Sequence, residues 1–599
     1  MTLAGLVAGQ SLALAMLLVS AWAAGRLAVR TLRLPVDAVP LSLTLAAGLM
    51  VLAQAALLLG LVGALWAPMV VTLAAASWAA AGWDRWRTGS IEPGGLGRGR
   101  AAVAVAVAVV ALPGAALTLY PPLGFDQTLY HLPTARAFAA TGGVPFLPAL
   151  RYPIFPPLAE VLNAAILTVA GDVATQIAGW LAIAAGLGLV YTWARERSTP
   201  AGGWIAAAIL AGSPIAWYLA STGYVEPLLA LLGLAACYAA ERARHGADTG
   251  WLALSGALAG SAAGVKYLGL YFVPAAALVA CLQAPRSSAT RRLAIYGLAA
   301  AAAMAPSYGR LVAHTGNPLF PFYPELFGPS PWAAQEFLGR RGVDRLAAAA
   351  TVLWDVVFRR ERVGGLPPFS PVFALGVPVV VAAWWRRPSL AAIAGLTAGY
   401  LALAPVHAHY MLAIAPIWCV AIGASAGVLV GASRAGRVAL FAIAVALAAS
   451  GGWFAVARVR ALGPPPVGVD ERVRLLTAQR PLYPAVQFLN RTAPGAVVYA
   501  VGAENMVDDR LGPLLGDHNG PVSHARMQAR VAGRHGVAAA LEEIGAGYLL
   551  VREDGSVWTQ WARGDPRLVP VFADAHARVY RVSPAAPPAR DSAGPPPRD

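Results

Sequence analysis

The feature that most constrains this chain is a series of apolar stretches, each about 20 residues long, recurring through its first three-quarters. Each is long enough to cross a hydrocarbon core about 30 Å thick. Charge is correspondingly scarce. Of the 599 residues 58% are hydrophobic and 12% are charged, about half the charged share of an ordinary soluble chain. The expected architecture is an all-α polytopic membrane protein. The opening stretch, residues 3–24, lacks the basic start and small-residue cleavage site of a secretory signal, and it is read as a retained helix. Cys237, Cys281 and Cys419 all fall inside apolar stretches. They read as small buried hydrophobes, not as disulfide partners or metal ligands.

The net charge of +16 would suit a nucleic-acid partner, but its placement argues otherwise. Arg26, Arg30 and Arg33 share one short break between apolar stretches; Arg85, Arg87, Arg98 and Arg100 share another. This follows the positive-inside rule and puts both loops in the cytoplasm. No nucleic-acid partner is implied. The apolar stretch at 156–170 is short for a span. Treated as surface-lying or re-entrant, it leaves the arginine loops at 195–197, 242–244, 286–292, 386–387 and 434–437 cytoplasmic too; treated as a full span, it puts all of them outside. The first choice satisfies every loop and gives about 14 spans, one of them at 204–220. The expected location is the cytoplasmic (inner) membrane. Segments 120–160, 221–226, the surroundings of Lys266, 314–368, 405–409 and everything after Arg458 then face outward.

After a Pro/Gly-rich linker at 463–468 the composition becomes that of a soluble domain. Helical patterns at 484–490 and 537–544, strand-like runs at 496–502 and 547–552, and a hairpin of 569–572 with 577–582 predict a small extracytoplasmic α/β domain. The chain thus divides into additional N-terminal spans (1–100), a transmembrane catalytic part with outer loop 120–160 (101–458), the α/β domain (459–584) and a proline-rich disordered tail (585–599).

Polar residues that the positive-inside rule does not explain collect on the outer face. The loop 120–160 holds Asp126, Gln127, Tyr130, His131, Arg136, Arg151 and Glu160, punctuated by prolines. Asp126 stands among Phe125, Leu129 and Tyr130, where a carboxylate can act as a base near neutral pH; a solvated loop acid or a helix cap is the plainer alternative. Glu226 opens an apolar stretch on the same side, as a site residue or as a favourable charge at a helix N-terminus. Glu160 lies within the short apolar stretch, where an unpaired charge is expensive. Lys266 interrupts a long apolar run, which costs about 2.5–3.5 kcal/mol at a bilayer centre. It either snorkels to the interface or forms an anion site suited to a lipid phosphate. His407 and His409 form an H-x-H pair that a metal could use, and His131 is open to the same reading. Residues 314–325, rich in proline and aromatics, read as an interfacial belt or as a groove for an isoprenoid chain. The sequence contains no Walker A, HExxH or GxSxG motif and no Gly-rich nucleotide loop after a strand.

Taken together, G-F-D-Q-T-L-Y-H-L-P followed by P-I-F-P-P-L-A-E resembles the first outer loop of the GT-C membrane glycosyltransferases. More narrowly it resembles the bacterial branch related to protein O-mannosyltransferases and the aminoarabinose transferase of lipid A. Y-V-E-P-L-L-A-L, G-V-K-Y-L-G-L, H-T-G-N-P-L-F-P-F and H-Y-M-L-A-I-A-P follow in family order, within residues 103–430. The resemblance implies a GT-C-like fold and a membrane glycosyltransferase. Such an enzyme takes a sugar from a polyprenyl-phosphate donor and attaches it to an envelope acceptor outside the cytoplasmic membrane. It implies Asp126 as catalytic base or acceptor-site carboxylate, Glu226 as the second-loop acid and Lys266 beside the donor phosphate. Tyr130 and His131 join as substrate-binding candidates. Gln127 replaces the acid that often follows Asp126, which weakens a two-carboxylate metal site there. His409-Tyr410 stand where many relatives carry Arg-Tyr. The three spans before residue 103 are additional to the single helix usual in the family.

The chemistry agrees. Attack of a hydroxyl on an anomeric carbon needs a base and a stabilised leaving group, roles suited to Asp126 and Lys266, and it inverts the carbon. A histidine or a divalent metal could assist Lys266; no other cofactor is implied. The rival class is a polytopic transporter or flippase of lipid-linked precursors. It would also hold charges at depth, but it needs neither a large outer loop nor an outer α/β domain.

Overall fold

Alanine, leucine and glycine dominate the apolar stretches, and in the computed structural model these stretches form helices. A helix satisfies each backbone amide within its own segment, as a hydrocarbon environment demands. The structure describes residues 2–87, 98–243, 249–282, 288–328, 343–533 and 536–584. The loop arginines Arg244 and Arg286 and the proline-rich tail 585–599 lie outside the described residues. The chain forms two compact units. One comprises Met1–Pro148, Tyr152–Ser330 and Ala334–Leu475; the other comprises Ala149–Arg151, Pro331–Ala333 and Leu476–Asp599.

Among the described residues of the first unit, five helices are long and apolar enough to cross a membrane: Leu3–Thr31, Leu41–Leu61, Ala101–Leu119, Val173–Arg197 and Arg434–Leu462. The span expected at 204–220 is broken into Pro200–Ala211 and Pro214–Ala220, bent by 61°. Proline causes the break, because Pro214 carries no amide hydrogen and its ring collides with the carbonyl four residues back. Six further apolar helices are only 10–17 residues long. The expected total of about 14 spans therefore includes many segments shorter than a straight crossing. The stretch read as non-crossing is the 13-residue helix Leu158–Ala170, only about 20 Å long.

Two features organise this unit. The helix Glu226–Arg242 has every residue from Glu226 to Glu241 buried, so it is apolar all round and sits inside the bundle. Small residues let backbones touch. Leu3–Thr31 meets Leu41–Leu61 so closely that a Cβ on Gly48 would lie 1.6 Å from the Ala21 carbonyl oxygen, the small-residue packing that membrane helices favour.

The second unit carries a five-stranded sheet of order β2-β1-β3-β5-β4. Its strands are β1 (Val498–Val501), β2 (Leu514–Gly516), β3 (Tyr548–Arg552), β4 (Leu568–Ala573) and β5 (Ala577–Val582). β1 pairs in parallel with β2 and β3, while β5 runs antiparallel to β3 and to β4. The expected hairpin is β4–β5, and the two expected buried strands are β1 and β3. The three-residue β2 and the helices Val469–Gln479, Pro521–Gly533 and Val557–Gly564 are not among the elements expected from the sequence. Tyr499, Leu541, Leu549 and Trp558 are buried in the core of this unit. The small α/β domain expected at the C-terminus is thus present as a fold.

Candidate active site

The site is built from four chain breaks in the first unit. The first follows the helix Arg98–Ala116. Here Gln127–His131 forms a π-helical turn that runs into the helix Leu132–Thr141. The Leu132 amide bonds to the Gln127 carbonyl, five residues back. Pro133 explains the widening, since it cannot donate to the Leu129 carbonyl and its ring pushes that carbonyl away. Such turns are frequent at functional sites. The Tyr130 hydroxyl donates to Asp126 Oδ2 at 3.1 Å. Gln127 is buried, and its Oε1 accepts from the Gly124 amide at 3.1 Å. It packs against Gly223, whose φ of +63° favours glycine and where a Cβ would meet Gln127 Nε2 at 2.2 Å.

The other breaks bring the distant residues in. Glu226 heads its helix and is fully buried. Lys266 follows the helix Thr249–Val265, and its Nζ donates to Glu226 Oε1 at 2.7 Å. Lys266 therefore does not snorkel away; it is neutralised in place and stands 4.8 Å over the Tyr410 ring. His409 Nε2 lies 3.8 Å from Asp126 Oδ2 and 3.9 Å from Glu226 Oε1. Four separate stretches of sequence thus meet at one centre: Asp126 with Tyr130, Glu226, Lys266, and His409 with Tyr410. Burial opposes the charge on Lys266, but the Glu226 carboxylate, together with Tyr410 and Asp126, offsets it and raises the ammonium pKa above its ordinary value. Burial, helped by Lys266, His407 and His131, holds His409 well below the usual histidine value. His409 is accordingly neutral at pH 7.

His131 takes a different neighbour. Its Nδ1 lies 2.7 Å from Glu160 Oε1, and both side chains are buried. Arg136 is placed elsewhere in the first unit, sharing Asp172 with Arg472. Two residues near the site were not singled out from sequence. The Tyr224 hydroxyl accepts from the Asp126 amide at 3.4 Å, and only its place two residues before Glu226 could have signalled it. Arg310 donates to the carbonyls of Val144 and Pro145 at 2.7 Å and of Phe155 at 3.3 Å, tying down two points of the outer loop. An arginine set apart from the Arg291-Arg292 pair that opens the apolar helix Ala289–Thr315 was the available signal.

The side chains fit a metal ion poorly. Among the described residues, no group of three or more His, Cys, Asp or Glu side chains is arranged to hold one. Lys266 already holds one oxygen of Glu226, Oε1. The positive charge at this centre is the lysine ammonium.

Comparison with solved structures places this architecture. The chain aligns with ArnT from Cupriavidus metallidurans bound to undecaprenyl phosphate, and with its apo state, at a TM-score of 0.54 and 18% identity, covering 81% of this chain and 98% of ArnT. The fold is ArnT-like. The archaeal oligosaccharyltransferase AglB from Archaeoglobus fulgidus, in complex with an inhibitory peptide and a dolichol-phosphate, aligns at a TM-score of 0.47 and 14% identity over 80% of this chain and 74% of AglB. Residues 155–308 match the dolichyl-phosphate-mannose-protein mannosyltransferase family. That stretch holds Glu160, Glu226 and Lys266 and ends before His409. No curated protein sequence matches significantly. The chain thus resembles the GT-C glycosyltransferases in sequence and in fold.

Proposed function

We propose that this protein is a membrane glycosyltransferase that moves a sugar from a polyprenyl-phosphate donor to an envelope acceptor on the outer face of the cytoplasmic membrane. The observation that carries the reading is the meeting of Asp126, Glu226, Lys266 and His409 within 4 Å contacts in an ArnT-like fold. In this reading Asp126 takes the proton of the acceptor hydroxyl as its oxygen bonds to the anomeric carbon. The bond from that carbon to the phosphate oxygen breaks, and the anomeric configuration inverts. The electron pair stays on the departing polyprenyl phosphate, where the Lys266 ammonium meets it. Glu226 anchors Lys266, and the Tyr130 hydroxyl orients Asp126. Undecaprenyl phosphate bound in ArnT supports the lipid class of the donor.

The test is transfer by the purified full-length protein from polyprenyl-phosphate sugars, with Asp126→Asn beside the wild type. Equal activity in the two would reject the catalytic role and favour the transporter or flippase. The orientation has its own test. Cysteines introduced at Arg386 and Arg434 are expected to label from the cytoplasm, and those at Phe125, which is exposed beside the buried Gln127, at His407 and beyond residue 468 from outside. Cytoplasmic labelling at position 125 would sink the topology.

A further inference from the structure

The reaction drawn above leaves one buried pair unused. His131 Nδ1 and Glu160 Oε1 are 2.7 Å apart, yet His131 Nε2 and Glu160 Oε2 are both buried without a hydrogen-bond partner. His131 is 2% exposed and Glu160 8%. An open buried polar atom costs about 1–3 kcal/mol, so two in one pair point to a ligand. Both side chains line a cavity of about 30 Å³, which Tyr130, Tyr152, Lys266 and Arg310 also wall. A water needs about 10–15 Å³ of such space, so the cavity has room for a hydroxyl-sized group.

Donor and acceptor counting narrows the group. With Glu160 accepting from Nδ1–H, the lone pair of His131 sits on Nε2. One side of the cavity therefore offers two acceptors, Nε2 and Oε2. Lys266 and Arg310 bring only donors. A hydroxyl can donate to the first pair and accept from the second. An ammonium would stand beside two cations, and a carboxylate or phosphate would face Glu160. The wall is also aromatic. Tyr152 stands edge-on to Tyr130 at 4.5 Å and stacks on Phe155 at 4.7 Å. These rings pack on one another and hold the wall of the cavity in place.

We propose that this cavity is a subsite that reads one hydroxyl of the transferred sugar, held by His131 and Glu160. The proposal rests on the glycosyltransferase reading: Lys266 borders the cavity and is also the group placed at the donor phosphate. The test offers the purified full-length protein polyprenyl-phosphate mannose, glucose and galactose, then every monodeoxy derivative of the best donor. In the wild type, one derivative is expected to lose about 100-fold in kcat/KM, because a site built to bond a hydroxyl rejects its absence strongly. Glu160→Gln and His131→Gln are expected to bring the parent donor down to the level of that derivative, while the derivative itself changes by less than about twofold. A flat deoxy profile in an active wild type would overturn the subsite and leave the transferase reading standing. A uniform loss on all donors in both variants would also overturn it, since a structural pair behaves that way. No transfer by the wild type from any donor would overturn the transferase reading and the subsite with it.

Discussion

The two ends of the helix Glu226–Arg242 carry the same kind of residue in opposite states. Glu226 and Glu241 are both buried, at 0% and 4% exposure, about 22 Å apart along one axis. At Glu241 both oxygens are engaged: Oε2 accepts from Trp193 Nε1 at 3.0 Å and Oε1 meets Arg197. At Glu226 one oxygen holds Lys266 and the other is buried without a partner. His409 Nε2 and Gln127 Nε2 are open in the same way. Buried polar atoms are normally satisfied, and unsatisfied ones mark strain, chemistry or a missing ligand. The Glu241 end is built to hold the bundle together, while the Glu226 end is built to receive something.

The comparison breaks most sharply at Asp126. Asp126→Asn keeps the shape and removes the base, so transfer is expected to fall at least about 100-fold with thermal unfolding unchanged. A lower yield of folded protein, with normal specific activity, would make Asp126 structural. Lys266→Ala tests the pair beside it. Donor use is expected to fall about 10- to 100-fold, and stability to fall by about 3–5 kcal/mol because Glu226 is left buried and alone. Lys266→Met combined with Glu226→Gln separates the two effects: stability should return and donor use should not.

Glu241→Gln addresses the opposite end. It is expected to cost on the order of 1–3 kcal/mol of stability and to leave transfer within about twofold. A loss of transfer matching that of Lys266→Ala would erase the distinction between the two ends.

The smallest effect is on pH. His407 and His409 are pushed below the usual 6.5, by burial first and then, at both, by Lys266. Below pH 6.5 the unfolded chain takes up protons that the folded site resists, so these groups stabilise fully above 6.5 and less as pH falls. Thermal unfolding in detergent is expected to weaken on acidification below pH 6.5, and less so in His409→Gln. An identical pH dependence in both proteins would show that His409 carries no such penalty.

Much of the fold was legible because hydrophobic periodicity is local. Apolar runs longer than a helical turn name the helices, and Gly463 to Gly468 announces a change to a soluble pattern. Span length was less legible, since composition does not reveal where Ser213-Pro214 breaks a run in two. The site divided along the same line. Asp126, Glu226, Lys266 and His409 stood out individually as polar residues in apolar surroundings. Their meeting did not, because Asp126 and His409 are separated by most of the bundle in sequence. The partner of His131 also had to come from the fold, 29 positions along the chain, across the helix Leu132–Thr141 and the loop that follows it.

The sequence by itself determined that this chain belongs in a bilayer, and which polar residues it retains there at a cost. It did so because the price of burying charge in hydrocarbon is set residue by residue. Only the tertiary structure decided that Lys266 is neutralised by Glu226, that Glu241 is saturated, and that Glu226, His131 and Glu160 keep open valences. Those are properties of pairs, fixed by how the helices Glu226–Arg242 and Thr249–Val265 pack and by the widened turn that Pro133 forces before the helix Leu132–Thr141.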